Sequence, residues 1–102
     1  MVKLKLYDNE EKTAIELIKG FWYAHNQVIT SDEDARADLQ AWTGENHKFY
    51  FILYNNEYAG FIHLGSRGAA IDWLEDIFVL PEYQRHGIGT KAIKLAEELV
   101  QE

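Results

Sequence analysis

The chain has 102 residues, with ten Lys and Arg against seventeen Asp and Glu, no cysteine, 47% hydrophobic and 14% aromatic residues. That is enough for one domain with a modest core. It excludes a disordered chain, a disulfide framework and thiol chemistry, and its net charge of −7 opposes non-specific nucleic-acid binding, which works by neutralising phosphates.

Val2, Leu4 and Leu6 alternate with Lys3 and Lys5, which predicts a half-buried strand rather than a signal peptide. No stretch reaches the ~20 apolar residues of a membrane helix, so a cytoplasmic protein without membrane contact is expected. Asp8 is expected to cap a helix over 10–28, in which Ile15, Ile18 and Trp22 recur at helical spacing beside Leu17 and Phe21. Thr30-Ser-Asp-Glu33 resembles a capping box. The helix it opens carries Ala35, Leu39 and Trp42 on one face and acids on the other.

Gly44-Glu-Asn46 breaks that pattern. His47–Tyr54 is apolar on both faces, which predicts a central strand covered on both sides. Asn55-Asn56 is a turn signal, and Glu57–Leu64 completes a hairpin. Ser66-Arg67-Gly68 turns again before a long strand over 70–80. Ile88, Ala92, Leu95, Ala96 and Leu99 then mark an amphipathic helix. The order β-α-α-β-β-β-α predicts an α/β fold in a single domain over 1–102, a mixed, mostly antiparallel sheet with helices on both faces.

The 72–90 stretch carries most of the functional content. A strand with Glu75 and Asp76 runs through Pro81, the single proline, into Gln84-Arg-His-Gly-Ile-Gly89, and the loop opens the last helix. Gly87 and Gly89 permit positive φ and close backbone approach. The first N–H groups of the helix have no intrahelical partner, and its dipole adds partial positive charge there. The pyrophosphate of a nucleotide-containing cofactor suits such a site, with Arg85, His86 and Lys91 adding charge. A bare Gly-x-Gly serves a strand-to-helix turn equally well. It lacks the third glycine of the dinucleotide fingerprint and the lysine motif of the phosphate loop.

Gln84-x-x-Gly87-x-Gly89 behind Ile77-Phe-Val-Leu-Pro81 resembles the acetyl-coenzyme A signature of the GCN5-related N-acetyltransferases. That signature is Gln/Arg-x-x-Gly-x-Gly/Ala at a helix start, following a strand that ends in a Val-x-Pro-like corner. Leu74-Glu-Asp-Ile-Phe-Val79 resembles the diamine and polyamine branch, from which Ile77 departs. The element order is similar to the N-terminal part of that fold. The family continues with a further strand, a helix carrying a tyrosine that protonates the leaving thiolate, and a closing strand pair. The resemblance therefore implies a truncated domain lacking its C-terminal half, with impaired turnover.

It also implies acetyl-coenzyme A as co-substrate, no metal, and direct transfer to a small cationic amine, diamine-like or aminoglycoside-like; an acidic surface suits such an acceptor, or simple solubility. Backbone at Ile77, Phe78 and Val79 would hold the pantetheine and the thioester oxygen. Gln84, Arg85, His86, Gly87, Ile88, Gly89 and Thr90 would hold the pyrophosphate. Glu75 would receive the amine proton through water, and Asp76 would bind a cationic substrate group; solvated acids at a strand end are the alternative. Adjacent strand residues point to opposite faces, so only one could face the substrate unless a bulge re-aims the other. Asp72 is a further candidate carboxylate.

Glu33, Asp34 and Asp38 either attract an amine or form a solvated helix face. His25, His47, His63 and His86 lie far apart in sequence, without zinc spacing. His86 is placed to touch phosphate, and the other three are expected to be structural. Trp22, Trp42 and Trp73 are expected in the core. An unpaired strand edge at 70–80 would recruit a second copy, so self-association is expected. A coenzyme A-binding or regulatory module without catalysis, and an interaction domain whose glycine loop is only a turn, are the competing functional classes.

Overall fold

The computed structural model describes residues 1–65 and 73–100, apart from the side chains of Trp73 and Val100. Strands β1 (Val2–Leu6), β2 (His47–Tyr54), β3 (Glu57–Gly65) and β4 (Trp73–Val79) form one antiparallel sheet in the order β1-β2-β3-β4. Helices α1 (Glu11–Asn26) and α2 (Asp32–Trp42) cover one face, and α3 (Ile88–Val100) covers the other. The expected α/β architecture is the observed one.

Because the sheet is covered on both sides, its central strands are apolar on both faces. Phe49, Phe51, Phe61 and Phe78 pack on Ile18, Phe21 and Leu39 of α1 and α2. Ile52, Ile62 and Leu64 pack on Ile88, Ala92 and Ala96 of α3. Each large apolar side chain buried this way stabilises the fold by roughly 1.5–3 kcal/mol.

Two bulges interrupt the ladder. Ile52 faces Gly60 while Leu53 faces Tyr58, so Ala59 is an extra residue in β3. His63 faces Asp76 while Leu64 faces Leu74, so Glu75 is an extra residue in β4. Each insertion shifts the alternation of side chains between the two faces. The hairpin turn uses Asn55 (φ 51) and Asn56 (φ 69), left-handed at both positions as a two-residue turn between twisted strands requires.

Three local expectations are corrected. Leu6 is 55% exposed, and Tyr7 packs against the α1/α2 core instead. Glu10, not Asp8, occupies the N-cap position of α1, and its carboxylate turns outward to accept the Asp8 and Asn9 N–H groups at 3.0 Å and to pair with Lys5. Ser31, not Thr30, caps α2, accepting the Asp34 N–H at 3.1 Å. The turn at Ser66-Arg67-Gly68 and the expected strand start at 70–72 lie outside the described residues.

The Lys5 ammonium, helped by the nearby backbone N–H groups, holds the Glu10 carboxyl at about 2, below the ordinary 4.5. A carboxyl depressed in the folded state stabilises above its unfolded value and loses that contribution as pH falls through the folded one. Urea midpoints of Glu10→Gln and the parent chain should therefore differ above pH 4.5 and converge as pH falls towards about 2. A gap independent of pH over that window would show that the ion pair is not its source.

Candidate functional site

After β4 the chain makes a single 3-10 turn at Pro81–Tyr83 and enters the loop ahead of α3. The Gln84 side-chain amide donates to the Val79 carbonyl at 3.0 Å, fastening the loop to the strand end. Arg85 (φ 72) and Gly87 (φ 71) are both left-handed, on either side of His86. Alternating handedness of this kind builds backbone anion-binding concavities. The first bond of the helix runs from the Lys91 N–H to the Gly87 carbonyl at 3.1 Å, so the Ile88, Gly89 and Thr90 N–H groups precede it.

A cleft of about 280 Å³ opens here, lined by Val79, Tyr83, the loop, Ile88, Gly89 and Thr90. A Cβ added at Gly87 would meet nothing within 4 Å, so the space above it is open to a ligand. Both glycines permit positive φ, and of the two only Gly87 adopts it; a Cβ on Gly89 would sit 3.9 Å from Val79 Cγ2, an ordinary contact. Ile88 is buried in the α3 core and anchors the helix, leaving only its backbone for a ligand. Arg85, Thr90 and Lys91 are exposed, and His86 lies against Tyr54 with ring centroids 5.9 Å apart.

Along β4, Ile77 and Val79 face α3 while Phe78 faces α1 and α2. No strand among the described residues pairs with its outer edge. Its inner edge lies so close to β3 that a Cβ on Gly60 would sit 1.9 Å from the Phe78 carbonyl oxygen.

The bulge at Glu75 puts the two carboxylates on one face. Gly65 pairs with His47 and shares its face, and a Cβ there would lie 3.2 Å from Glu75 Cγ, 3.3 Å from Glu75 Oε1 and 3.4 Å from His47 Nδ1. Asp76 Oδ2 lies 2.9 Å from His63 Nδ1, and the His63 ring stacks on Trp42 of α2 with centroids 4.8 Å apart. Both acids thus sit on the α1/α2 side.

The histidines correct the sequence reading. His63 Nε2 lies 2.8 Å from His47 Nδ1, so two residues sixteen apart in sequence meet beside the two acids. The signal was the hairpin register, which makes 47 and 63 diagonal neighbours on one face. Asp38 accepts the Trp22 indole N–H at 2.8 Å, and so ties α1 to α2. Asp34 contributes its backbone to the α2 cap, and Glu33 is exposed. Trp22 and Trp42 pack against the α1/α2 core, as expected. Asp72 and the Trp73 side chain lie outside the described residues. Among the described residues no group of three or more His, Asp or Glu is arranged to hold a metal ion, and no helix is long and apolar enough to cross a membrane.

The family model described as acetyltransferase (GNAT) family matches residues 11–102. Among solved structures, a protein of Clostridium difficile 630 described as a possible acetyltransferase superposes with a TM-score of 0.81 at 11% identity, covering 97% of this chain and 70% of its own. An aminoglycoside acetyltransferase from an uncultured soil metagenomic sample, solved with sisomicin, gives 0.69 at 22% identity over 98% of this chain and 70% of its own. The PaiA N-acetyltransferase of Thermoplasma acidophilum, solved with coenzyme A, gives 0.70 at 18% identity over 99% and 72%. At these identities the likeness is one of fold. No curated protein sequence matches the chain.

Proposed function

This chain belongs to the acetyltransferase (GNAT) family, N-acetyltransferases that use acetyl-coenzyme A, and from that premise we propose that it transfers acetyl directly to a small cationic amine. The observation that carries this reading is the bulge that sets Glu75 and Asp76 on one face of the strand leading to the open loop at Gly87. The residues present fit the cofactor: a backbone cradle open above Gly87, the leading N–H groups of α3, and the exposed Arg85. When bound, acetyl-coenzyme A supplies the thioester carbonyl that an amine attacks.

Gln84 to Thr90 would hold the pyrophosphate, and the Ile77 to Val79 backbone the pantetheine. Glu75 would take the ammonium proton through water. Asp76, its side chain 28% exposed and one oxygen engaged by His63, would attract the cationic substrate group. A diamine and an aminoglycoside are the acceptors to test. They suit the net charge of −7 and, for the second, the sisomicin held by one fold neighbour. No strand among the described residues pairs with the outer edge of β4, which supports self-association through that edge; a monomer by light scattering at high concentration would sink that part.

Calorimetric titration with acetyl-coenzyme A, with desulfo-coenzyme A as control, tests the reading. Binding with transfer to either amine supports it, binding without transfer favours a coenzyme A-binding module, and no binding overturns it. Arg85→Glu should weaken binding roughly thirtyfold, the loss of one charge-assisted contact worth about 2 kcal/mol. Gly87→Val should weaken it more, because valine resists a φ of 71 and fills the opening. Parent-like affinity in Gly87→Val, at parent-like thermal stability, would remove the loop from the site.

A further inference from the structure

The face that carries Glu75 and Asp76 also carries two imidazoles in line. His63 is only 3% exposed and His47 is half-buried. Their ring centroids are 5.0 Å apart, their planes agree within 18°, and the facing nitrogens approach to 2.8 Å. The rings therefore meet edge to edge, nitrogen against nitrogen, rather than face to face. At the far end of the line stands Asp76, 2.9 Å from His63 Nδ1.

A carboxylate can only accept, and this sets every proton along the line. Asp76 holds a proton on His63 Nδ1. A neutral His63 then has a bare Nε2, which must accept. His47 Nδ1 therefore carries the proton it donates. The lone pair that remains lies on His47 Nε2, oriented by groups from three strands. Glu75, at Gly65, is the other titratable group from β4 beside this line. From α2 comes the Trp42 ring, backed by Phe21 of α1. Two of the strands' own aromatic neighbours, Phe49 and Phe61, close the face below.

We propose that His47 Nε2 is a second proton acceptor for acetyl transfer, with His63 and Asp76 as its positioning residues; this rests on the transferase reading above. Converting an ammonium to an amide breaks two N–H bonds at nitrogen and forms one C–N bond. The C–S bond breaks with its electron pair on sulfur. Of the two protons released, one returns to the sulfur and one leaves the site. Glu75 holds one proton at a time, and His47 takes the other. Its Nδ1 proton can then shift to His63 Nε2, which moves the positive charge next to the Asp76 carboxylate, where it is stabilised.

The test uses the full chain, acetyl-coenzyme A, and putrescine and sisomicin as acceptors. In His47→Gln, kcat should fall tenfold to a hundredfold or so, with the KM for acetyl-coenzyme A unchanged, the ascending limb of the pH profile displaced, and partial rescue by free imidazole. His47→Asn repeats the measurement should glutamine perturb the fold. Asp76→Asn should lower kcat as well and free neutral His63 to carry its proton on either nitrogen, since the residue that fixes its tautomer is no longer acceptor-only. Long-range ¹⁵N–¹H spectra of the parent chain, taken without cofactor, should show both His47 and His63 protonated on Nδ1 when neutral. A His47 protonated on Nε2, or transfer whose pH profile is unmoved in His47→Gln, overturns the proposal while leaving the transferase reading intact. A parent chain that binds no acetyl-coenzyme A and transfers nothing overturns both.

Discussion

Gly60→Ala should cost about 3 kcal/mol of stability, at the upper end of what overpacking a core usually costs. An added Cβ would stand 1.9 Å from the Phe78 carbonyl oxygen, 2.9 Å from its carbon and 3.0 Å from Val79 Cα. All three are backbone atoms, so no rotamer change relieves the clash. Relief requires β3 and β4 to separate at Phe78 and Val79, where the ladder is already bent by the extra Ala59. A fall in the denaturant midpoint with an unchanged slope is the expected result. Gly65→Ala provides the contrast. Its Cβ would press on the Glu75 side chain at 3.2 Å, which can move. That variant should stay folded and lose activity by displacing Glu75. Equal midpoints for Gly60→Ala and the parent would mean that the strand pair is looser than its geometry.

Glu75→Gln should lower kcat by roughly a hundredfold to ten-thousandfold, the usual contribution of a positioned general base. Glutamine keeps the volume of the side chain and leaves the bulge in place, so stability and acetyl-coenzyme A affinity should match the parent. A loss confined to kcat is the mark of an interaction made during the chemistry rather than in binding. Glu75→Asp adds a second measure. It keeps the charge and shortens the reach by one methylene, and should fall between the two. A parent-like kcat in Glu75→Gln would assign the bulged carboxylate to solvation or structure.

The parts of the fold that were legible are those written locally. His47–Tyr54 reads as a strand covered on both sides because each of its faces is apolar, and it occupies the interval expected. Gln84 to Gly89 could be read because turn, glycines and helix start are contiguous in the chain. The arrangement of Glu75, Asp76, His47 and His63 was not legible, because it depends on register. The Asn55-Asn56 turn pairs Tyr54 with Glu57. Continued without interruption, that pairing would set His47 opposite Leu64 and turn His63 to the other face. The extra Ala59 shifts the pairing to His47–Gly65 and puts both imidazoles on one face. Nothing in the local sequence announces a bulge at an alanine, since it follows from packing across three strands. The capping errors at Asp8 and Thr30 were of another kind. Several residues there were competent, and tertiary partners such as Lys5 chose between them.

The two bulges also change what kind of mutation the molecule can absorb. Each fixes the parity of a strand, so the spacing between residues matters as much as their identity. Removing Ala59 would close its bulge with the pairing intact, Tyr58 still opposite Leu53 and Gly60 still opposite Ile52, whereas drawing Ala59 into the ladder as a paired residue would exchange the two faces of β3 beyond it, sending Phe61 and His63 towards α3 and Ile62 and Leu64 towards α1 and α2. Removing Glu75 would likewise leave Leu74 opposite Leu64 and Asp76 opposite His63, and would take away only the bulged carboxylate. The bulge positions can therefore lose a residue, whereas a deletion within residues 61–64 makes neighbours of residues that shared a face and changes which helix one of them meets. Relatives that keep this chemistry should hold the spacing of the paired residues of β3 and β4 and tolerate a change in length at the two bulges.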